Sequence, residues 1–380
     1  MAVQPFPNPK FRAFDANGDP LAGGLLYTYA AGTTTPLATY TTRAGSVANA
    51  NPVVLSANGE ADVWTTPGVD YKFELRNSAG VVQWTVDNIP SPSDEESTTF
   101  EAATEPGGRL SLATGDPVTL SDITGATIVY YVPYKHDKIP LYDGSAWASH
   151  TIATELSQTT ADTTKSPAAV ANNSNYDLFI WLDSATLRLS RGPPWSSDTS
   201  RGTGVGTTEL ERVNGRYVNK VSISNGPGAQ RGLYVGTVRS DGSAQINDTA
   251  AKRHVWNNCN RVLRLMYVFE ATDSWNYTTA TLRQANGSTA NQLDFVLGLT
   301  EDCVRARVHA FARNTAGNAL QVGVGLDSTS AKAAGSTSGS VPAGAANNVS
   351  LTAEYSGVPA NGRHFLAWLE FSTASGTTLW

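Results

Sequence analysis

The residue types that perform catalysis or bind metals are sparse in this 380-residue sequence, and their spacing matches no known catalytic pattern. Neither the five histidines nor the two cysteines, Cys259 and Cys303, have the spacing of metal ligands. No P-loop, zinc-protease or serine-hydrolase motif is present. The sequence therefore predicts no catalytic residues, no metal and no cofactor.

A pair of acids is the simplest catalytic set to consider, because a glycosidase needs only two carboxyl groups. The sequence offers four candidates, Asp183, Asp198, Glu209 and Glu211. Nothing in their spacing pairs them. We favour the interpretation that they are ordinary surface acids.

A strand predicted at residues 303–313 offers a candidate binding surface for a glycan or a protein partner. Its period-two alternation puts small apolar side chains on one face and, on the other, Arg305, Arg307, His309, Phe311 and Arg313. Guanidinium groups bind acidic sugars and phosphates through paired hydrogen bonds. The favoured alternative is a solvated sheet face that pairs with acids on neighbouring strands.

Aromatic residues in loop-like sequence form the second candidate surface. Trp195 follows Gly192-Pro-Pro194, and Trp275 stands two residues before Tyr277. Exposed rings at these positions would stack on a sugar or on a neighbouring subunit, and packing inside the protein is the favoured alternative. Four other tryptophans are predicted to be core residues of strands: Trp64, Trp84, Trp181 and Trp368.

The elements that position these residues are predicted to be strands. Tyr71, Phe73 and Leu75 alternate with charged residues, which is the period of a half-buried strand, and the turn Asn77-Ser-Ala-Gly80 follows them. Charged residues make up 16% of the sequence, against about 25% in typical globular proteins. With a net charge of −6, no basic cluster and no long apolar run, we expect neither nucleic-acid binding nor membrane insertion.

These patterns predict an all-β fold with a linker and three domains. Residues 1–90 form a small N-terminal β-sandwich, and residues 91–108 form a Pro-, Ser- and acid-rich linker. Residues 109–260 form a central β-rich domain with one short helix, which starts at Asp248 and ends near Asn260. Residues 261–380 form an antiparallel β-sandwich or jelly roll that begins with a strand at 262–270, and residues 331–348 form a mobile low-complexity loop.

Specific motifs carry a resemblance to a known family. In the first ninety residues they are Phe14-Asp-Ala-Asn-Gly-Asp-Pro-Leu-Ala-Gly-Gly-Leu-Leu-Tyr-Thr-Tyr29, Asn51-Pro-Val-Val-Leu-Ser-Ala-Asn-Gly59 and Trp84-Thr-Val-Asp-Asn-Ile89. Over residues 8–89 the chain resembles the N-terminal virion-anchoring module of tailed-bacteriophage tail fibres and tailspikes. Farther along, Leu141-Tyr-Asp-Gly144 and Ala250-Ala-Lys-Arg253 resemble a second β module that is common in phage tail proteins.

The resemblance implies a structural, non-enzymatic protein of the virion. It implies a tail fibre, or an adaptor that carries a fibre or spike, anchored by its N-terminus and assembled in the host cytoplasm into a homotrimer. Its expected partners are other tail or baseplate proteins and a glycan of the host surface. The sequence departs from that family in reaching Trp380 without a long receptor-binding or β-helical body, which leaves both a terminal adhesin and a short adaptor as alternatives.

Two other functions compete with this one. A tailspike enzyme that degrades host polysaccharide is disfavoured by the absence of a 20–50-residue repeat and of a catalytic motif. A bacterial cell-surface adhesin is disfavoured because residues 1–9 lack the apolar segment of an export signal.

Overall fold

The computed structural model describes residues 4–91, 105–341 and 347–380, and the fold is all-β, as predicted. The chain divides into two compact units, Met1–Phe100 and Glu101–Trp380. Most of the linker predicted at 91–108 lies outside the described residues. No helix in the described part of the chain is long and apolar enough to span a membrane.

The first unit contains six strands. They are β1 (Gln4–Arg12), β2 (Leu25–Ala30), β3 (Val53–Val54), β4 (Glu60–Thr65), β5 (Tyr71–Arg76) and β6 (Val82–Ile89). β1 pairs with β4, and the other four form an antiparallel sheet in the order β3-β2-β5-β6. Tyr71, Phe73 and Leu75 of β5 are buried, which confirms the predicted alternation, and they pack with Leu26 and Val63 in a core of their own.

The turn between β5 and β6 has the predicted hairpin chemistry. The Asn77 side-chain oxygen accepts hydrogen bonds from the backbone N–H groups of Ala79, at 3.1 Å, and Val81, at 2.9 Å. Gly80 has a φ of +81°, which glycine adopts without steric cost. The hairpin predicted from Asn77 to Gly80 is therefore confirmed.

The second unit begins with fourteen short strands. They are β7 (Gly108–Ser111), β8 (Ile123–Ala126), β9 (Ile128–Pro133), β10 (Lys138–Tyr142), β11 (Trp147–Thr151), β12 (Leu156–Thr159), β13 (Asn175–Asp183), β14 (Thr186–Pro194), β15 (Leu210–Val213), β16 (Arg216–Asn219), β17 (Leu233–Arg239), β18 (Ile246–Asp248), β19 (Lys252–Arg253) and β20 (Val255–Asn257). The dense apolar run from Tyr176 to Leu182 lies within β13, at the middle of a sheet in the order β14-β13-β17-β16-β15, with β20 beside β17. The smaller sheets are β10-β11 and β12-β9-β7.

Nine further strands complete the second unit. They are β21 (Asn276–Tyr277), β22 (Leu282–Gln284), β23 (Gln292–Leu297), β24 (Val304–Asn314), β25 (Leu320–Leu326), β26 (Gly339–Val341), β27 (Val349–Gly357), β28 (Gly362–Phe371) and β29 (Thr378–Leu379), with a single 3-10 turn at Ala285–Gly287. One sheet has the order β26-β25-β28-β23-β19-β18-β8, with β22 beside β28, and another has the order β21-β29-β24-β27. Strands from both predicted domains, 109–260 and 261–380, therefore share one sheet.

The sheet that contains β23 and the sheet that contains β17 pack so closely at one position that only glycine fits there. Gly298, just after β23, is buried, and a Cβ atom there would clash with the hydroxyl of Tyr234 on β17 and with the ring of Trp256 on β20. Tyr234 and Trp256 belong to the largest apolar core of the unit, which also includes Phe295 and Leu366.

The helix predicted from Asp248 to about Asn260 is wrong. Those residues form the end of β18 and the strands β19 and β20. β19 pairs in parallel with β23, and the Asp248 carboxylate contacts the Arg253 guanidinium at 3.1 Å instead of capping a helix. A weak local cap signal is thus overridden by pairing with a strand that is distant in the sequence.

Two other expectations for the C-terminal part are also wrong. Residues 262–270 alternate in exposure like a strand, but no described strand pairs with them. Within the loop predicted at 331–348, residues Gly339–Val341 form β26 and pair with β25. Residues 342–346 of that loop lie outside the described residues.

Candidate functional site

The cationic face of β24 is arranged as the sequence predicts. Arg305, Arg307 and Arg313 are exposed, together with His309 and with Phe311, whose ring is 62% exposed. The Arg307 guanidinium lies 3.9 Å from the Glu354 carboxylate on β27, and both side chains are mostly exposed. Such an ion pair contributes little. This face therefore presents positive charge to solvent, and the alternative of pairing with acids on a neighbouring strand is met only weakly, at Arg307.

Trp195 is not an exposed stacking residue. Its side chain is 6% exposed, and the Arg201 guanidinium lies over its ring at 4.2 Å from the centroid. Arg201 in turn donates two hydrogen bonds, at 2.6 and 3.1 Å, to the fully buried Asp177 carboxylate and one to the Gly298 carbonyl. The ring therefore covers a buried ion pair and has no face free for a ligand.

Trp275 and Tyr277 are packing residues as well. The Trp275 indole N–H donates to the Glu370 carboxylate at 2.6 Å, and its ring stacks on Trp380 with centroids 6.4 Å apart. The Tyr277 hydroxyl donates to the Thr281 carbonyl at 2.9 Å, and the residue is buried. For both aromatics the packing alternative fits the contacts, although Trp275 also borders the cleft described below.

The four candidate acids are all engaged by neighbouring side chains. The contacts are Asp183 with Lys165 at 2.5 Å, Asp198 with Arg239 at 2.7 Å, Glu209 with Lys220 at 2.6 Å, and Glu211 with Gln230 at 2.9 Å. Hydrogen bonds from Lys165 and Lys220 lower the pKa of Asp183 and Glu209. A carboxyl with a lowered pKa stays ionised at neutral pH and is a poor general acid.

A large cleft in the second unit was not predicted. It has a volume of about 1650 Å³ and lies between residues 261–270 on one side and β24 on the other. Its floor is apolar and includes Phe295, Leu366 and Trp368. The sequence signal that could have revealed it is the run 262–269, which is apolar at nearly every position and so has two faces to bury.

The acids at the rim of this cleft are held by hydrogen bonds. Asp302 accepts from Arg261 and from the Trp256 indole, both at 2.6 Å. Glu270 accepts from the backbone N–H of Thr272 and from the Asn291 amide, and these bonds lower the pKa of Glu270 to about 2. Glu270 is thus a poor proton donor at neutral pH, and most of the side chains that line the cleft are apolar. In the described part of the chain, no group of three or more His, Cys, Asp or Glu side chains is placed to hold a metal ion.

A second apolar surface lies on β6 of the first unit. Val82, Trp84 and Val86 alternate with polar residues and are 50%, 37% and 48% exposed. The prediction that Trp84 is a core residue is therefore wrong. β6 is the last strand of its sheet, and Phe11 is the ring that approaches Trp84, with centroids 6.3 Å apart. Exposed apolar patches of this kind are typical of protein–protein contacts.

Comparison with known proteins adds no assignment to these surfaces. No protein-family model and no curated protein matches the chain.

Proposed function

We propose that this chain is a structural component of a bacteriophage tail, a tail fibre or a fibre or spike adaptor. It anchors to the virion through residues 1–90 and supports attachment to the host surface. The resemblance of residues 8–89 to a virion-anchoring module supports this proposal. The structural observation that carries it is the exposed apolar face of β6, in a unit that has its own core.

The β6 face has the properties of a surface that docks onto another protein. Val82, Trp84 and Val86 side chains stand together on a strand whose backbone is already bonded to β5. The face therefore needs no refolding to receive a partner, and burying it removes apolar surface from water. Tryptophan is also enriched among the residues that dominate binding energy at interfaces. The proposed partner is another tail or baseplate protein.

The second unit is proposed to assemble as a homotrimer and to face the host. Three copies convert weak contacts with a glycan into strong attachment. Arg305, Arg307 and Arg313 are the residues of this chain that fit an acidic glycan, because their guanidinium groups are exposed on one face of β24. The proposed role is recognition without catalysis, in the virion tail, after assembly in the host cytoplasm.

The test changes the β6 face in the phage gene. A triple variant, Val82→Thr, Trp84→Ser and Val86→Thr, is expected to lower the amount of the chain in purified virions at least tenfold, as measured by quantitative mass spectrometry. The matched control is Val54→Thr, because Val54 is 62% exposed on β3, the opposite edge of the same sheet. The control variant should be incorporated normally.

Two results would contradict the proposal. Normal incorporation of both the triple variant and a chain that lacks residues 1–90 would remove the anchor assignment. Shortening of host polysaccharide by the purified chain, in a sugar-release assay, would replace the structural role with that of a tailspike enzyme. Circular dichroism of the triple variant checks that the unit is still folded.

A further inference from the structure

The segment 261–270 of the second unit is extended, and it is paired with no described strand. Its odd-numbered side chains are exposed, Leu263 at 100%, Leu265 at 76%, Tyr267 at 52% and Phe269 at 85%, whereas the even-numbered ones are half-buried against the cleft. This alternation indicates an extended backbone. The one backbone–backbone hydrogen bond described within 262–270 runs from the Tyr267 N–H to the Ala250 carbonyl at 3.0 Å.

The opposite wall of the cleft is also an incomplete sheet edge. β24 pairs with β27 along one side, from Val304 to Ala312. On its other side, the described strands pair with it only at Arg313 and Asn314, through β29. The edge from 304 to 312 therefore offers unpaired backbone groups, and the side chains of Val304 and Val308 that face the cleft are only half-buried. Edges of this kind pair readily with another strand.

We infer that a second copy of this chain completes the cleft, and that its segment 261–270 adds to the free edge of β24. The inference goes beyond the proposed function because it names the surface through which two copies meet. It rests on the proposed function only for the number of copies, which is three. Both halves of the contact are present in each chain, and their lengths correspond, since the segment has ten residues and the free edge nine. Leu263, Leu265 and Phe269 of one copy then fill the apolar cleft of the next.

The size of the surfaces fits a protein strand better than a small molecule. A cleft of about 1650 Å³ is larger than the roughly 300–1,000 Å³ of common ligand pockets. The four exposed side chains of the segment present roughly 500 Å² of apolar surface, at the upper end for a patch on a monomer. Together with the cleft wall that they cover, each contact reaches roughly the 1,000 Å² that a specific interface needs.

The symmetry of such a contact is compatible with a closed assembly. The donor segment and the acceptor edge are different surfaces, so the contact is of the head-to-tail kind. Repeating it closes a ring when the rotation between successive copies divides a full turn, as in the proposed trimer, and every segment and every cleft of that ring is then occupied. A ring leaves no unpaired apolar strand at either end, whereas a two-fold dimer through the segment alone would leave both clefts empty.

The first test is the mass of the full chain in solution. The double variant Leu263→Ser and Leu265→Ser is expected to shift the wild-type oligomer toward monomer, with at least a tenfold weaker association in analytical ultracentrifugation. The matched control is Leu120→Ser with Val205→Ser, because these side chains are 96% and 95% exposed in the same unit outside the segment. The control should keep the wild-type mass.

A disulfide test identifies which surfaces meet, and it uses the native Cys303, which is exposed just before β24. Leu263, Leu265, Tyr267 and Phe269 are changed to cysteine one at a time. In at least one of these variants, mild oxidation should link two chains, and Cys303→Ser should abolish the link. Leu120→Cys serves as the control and should give no link.

The outcomes separate this inference from the proposed function. A wild-type monomer, or a double variant that keeps the wild-type mass, overturns the inference. A disulfide found only within single chains also overturns it, because the segment then closes on its own β24. None of these results touches the anchoring test on β6, which depends on the first unit alone.

Discussion

Two segments of this molecule expose large apolar side chains, and their backbones differ. β6 is hydrogen-bonded to β5 from Val82 to Ile89, so its chain direction and register are fixed within its own unit. Residues 261–270 expose a similar row of side chains, but no described strand pairs with their backbone. Exposed side chains alone mark a contact surface, whereas an exposed row on an unpaired strand marks a missing neighbour.

The difference also separates the two kinds of partner that we propose. A preformed face such as β6 can dock on a protein of unrelated fold, because only side chains must match. An unpaired strand needs a partner that offers its own backbone groups, and the free edge of β24 in a second copy is such a partner. The β6 face is thus preformed before it binds, whereas the second unit gains a strand by binding.

The largest expected effect compares Phe73, a core ring on β5 beside β6, with Phe269, a ring on the segment 261–270. Phe73→Ala should lower the free energy of unfolding of the first unit by about 3–5 kcal/mol, because Phe73 is fully buried. In the dissociated chain, Phe269→Ala should change the free energy of unfolding of the second unit by no more than about 0.5 kcal/mol. Urea unfolding monitored by amide hydrogen exchange measures both free energies. The measurement uses the double variant Leu263→Ser and Leu265→Ser, in which the chains are expected to be dissociated. A large loss of unfolding free energy for Phe269→Ala would place that ring in the core of its own chain. That result would contradict the difference between the two segments.

A smaller effect is expected from acid, and it should distinguish the two units. Burial raises the pKa of Asp294 on β23, but the His254 side chain 3.5 Å away and two hydrogen bonds from Arg363 outweigh this and lower the pKa to about 2. The usual value in an unfolded chain is about 3.9, so the ionised Asp294 stabilises the fold above that pH, and this stability is lost as the pH falls toward 2. Between pH 5 and pH 2 the second unit should lose about 2 kcal/mol through this group.

The first unit provides the internal reference for the acid experiment. Its Lys10–Asp62 ion pair is about half exposed on both sides and contributes little. Acid titration monitored by residue-resolved hydrogen exchange should therefore show a steeper loss of stability in the second unit, and Asp294→Asn should reduce this excess. Equal slopes in both units, or an unchanged slope in Asp294→Asn, would contradict the assignment to this buried pair.

The smallest effect concerns the turn that holds β6 to β5. Asn77→Ala removes an acceptor of two backbone N–H groups and should cost the first unit about 1 kcal/mol. Ser78→Ala is the control in the same turn, since the Ser78 side chain makes no hydrogen bond among those described. The expected result is a lower urea midpoint of unfolding for Asn77→Ala and an unchanged midpoint for Ser78→Ala. This result would confirm that the Asn77–Gly80 turn stabilises the pairing of β6 with β5.

Local patterns predicted most of the strands and the all-β class. The alternation of Tyr71, Phe73 and Leu75 and the Asn77–Gly80 turn depend on residues near in the sequence, and both were predicted correctly. The order of strands in a sheet depends on distant pairings. For that reason Trp84 was predicted as a core residue, although its strand is the last one of the sheet.

The candidate site was predictable in part for the same reason. The exposed arginine face of β24 follows from alternation alone. The burial of Trp195 depends on Arg201 and Asp177, which meet it only in the folded chain. The helix predicted at Asp248 failed because β23 supplies a parallel partner for β19. The cleft was missed because its two walls, residues 261–270 and β24, are brought together only by the fold, although the apolar run 262–269 is visible in the sequence.

The bare backbone at Gly298 has a consequence for how this protein can diverge. Since Tyr234 and Trp256 fill the space beside it, any larger residue at position 298 requires a compensating change in one of those rings. The three positions should therefore vary together among descendants of this sequence, while Leu263 and Phe269 vary with the wall of the cleft. Related sequences would thus carry two independent sets of covarying positions. One set consists of contacts within a chain, and the other consists of contacts between two copies.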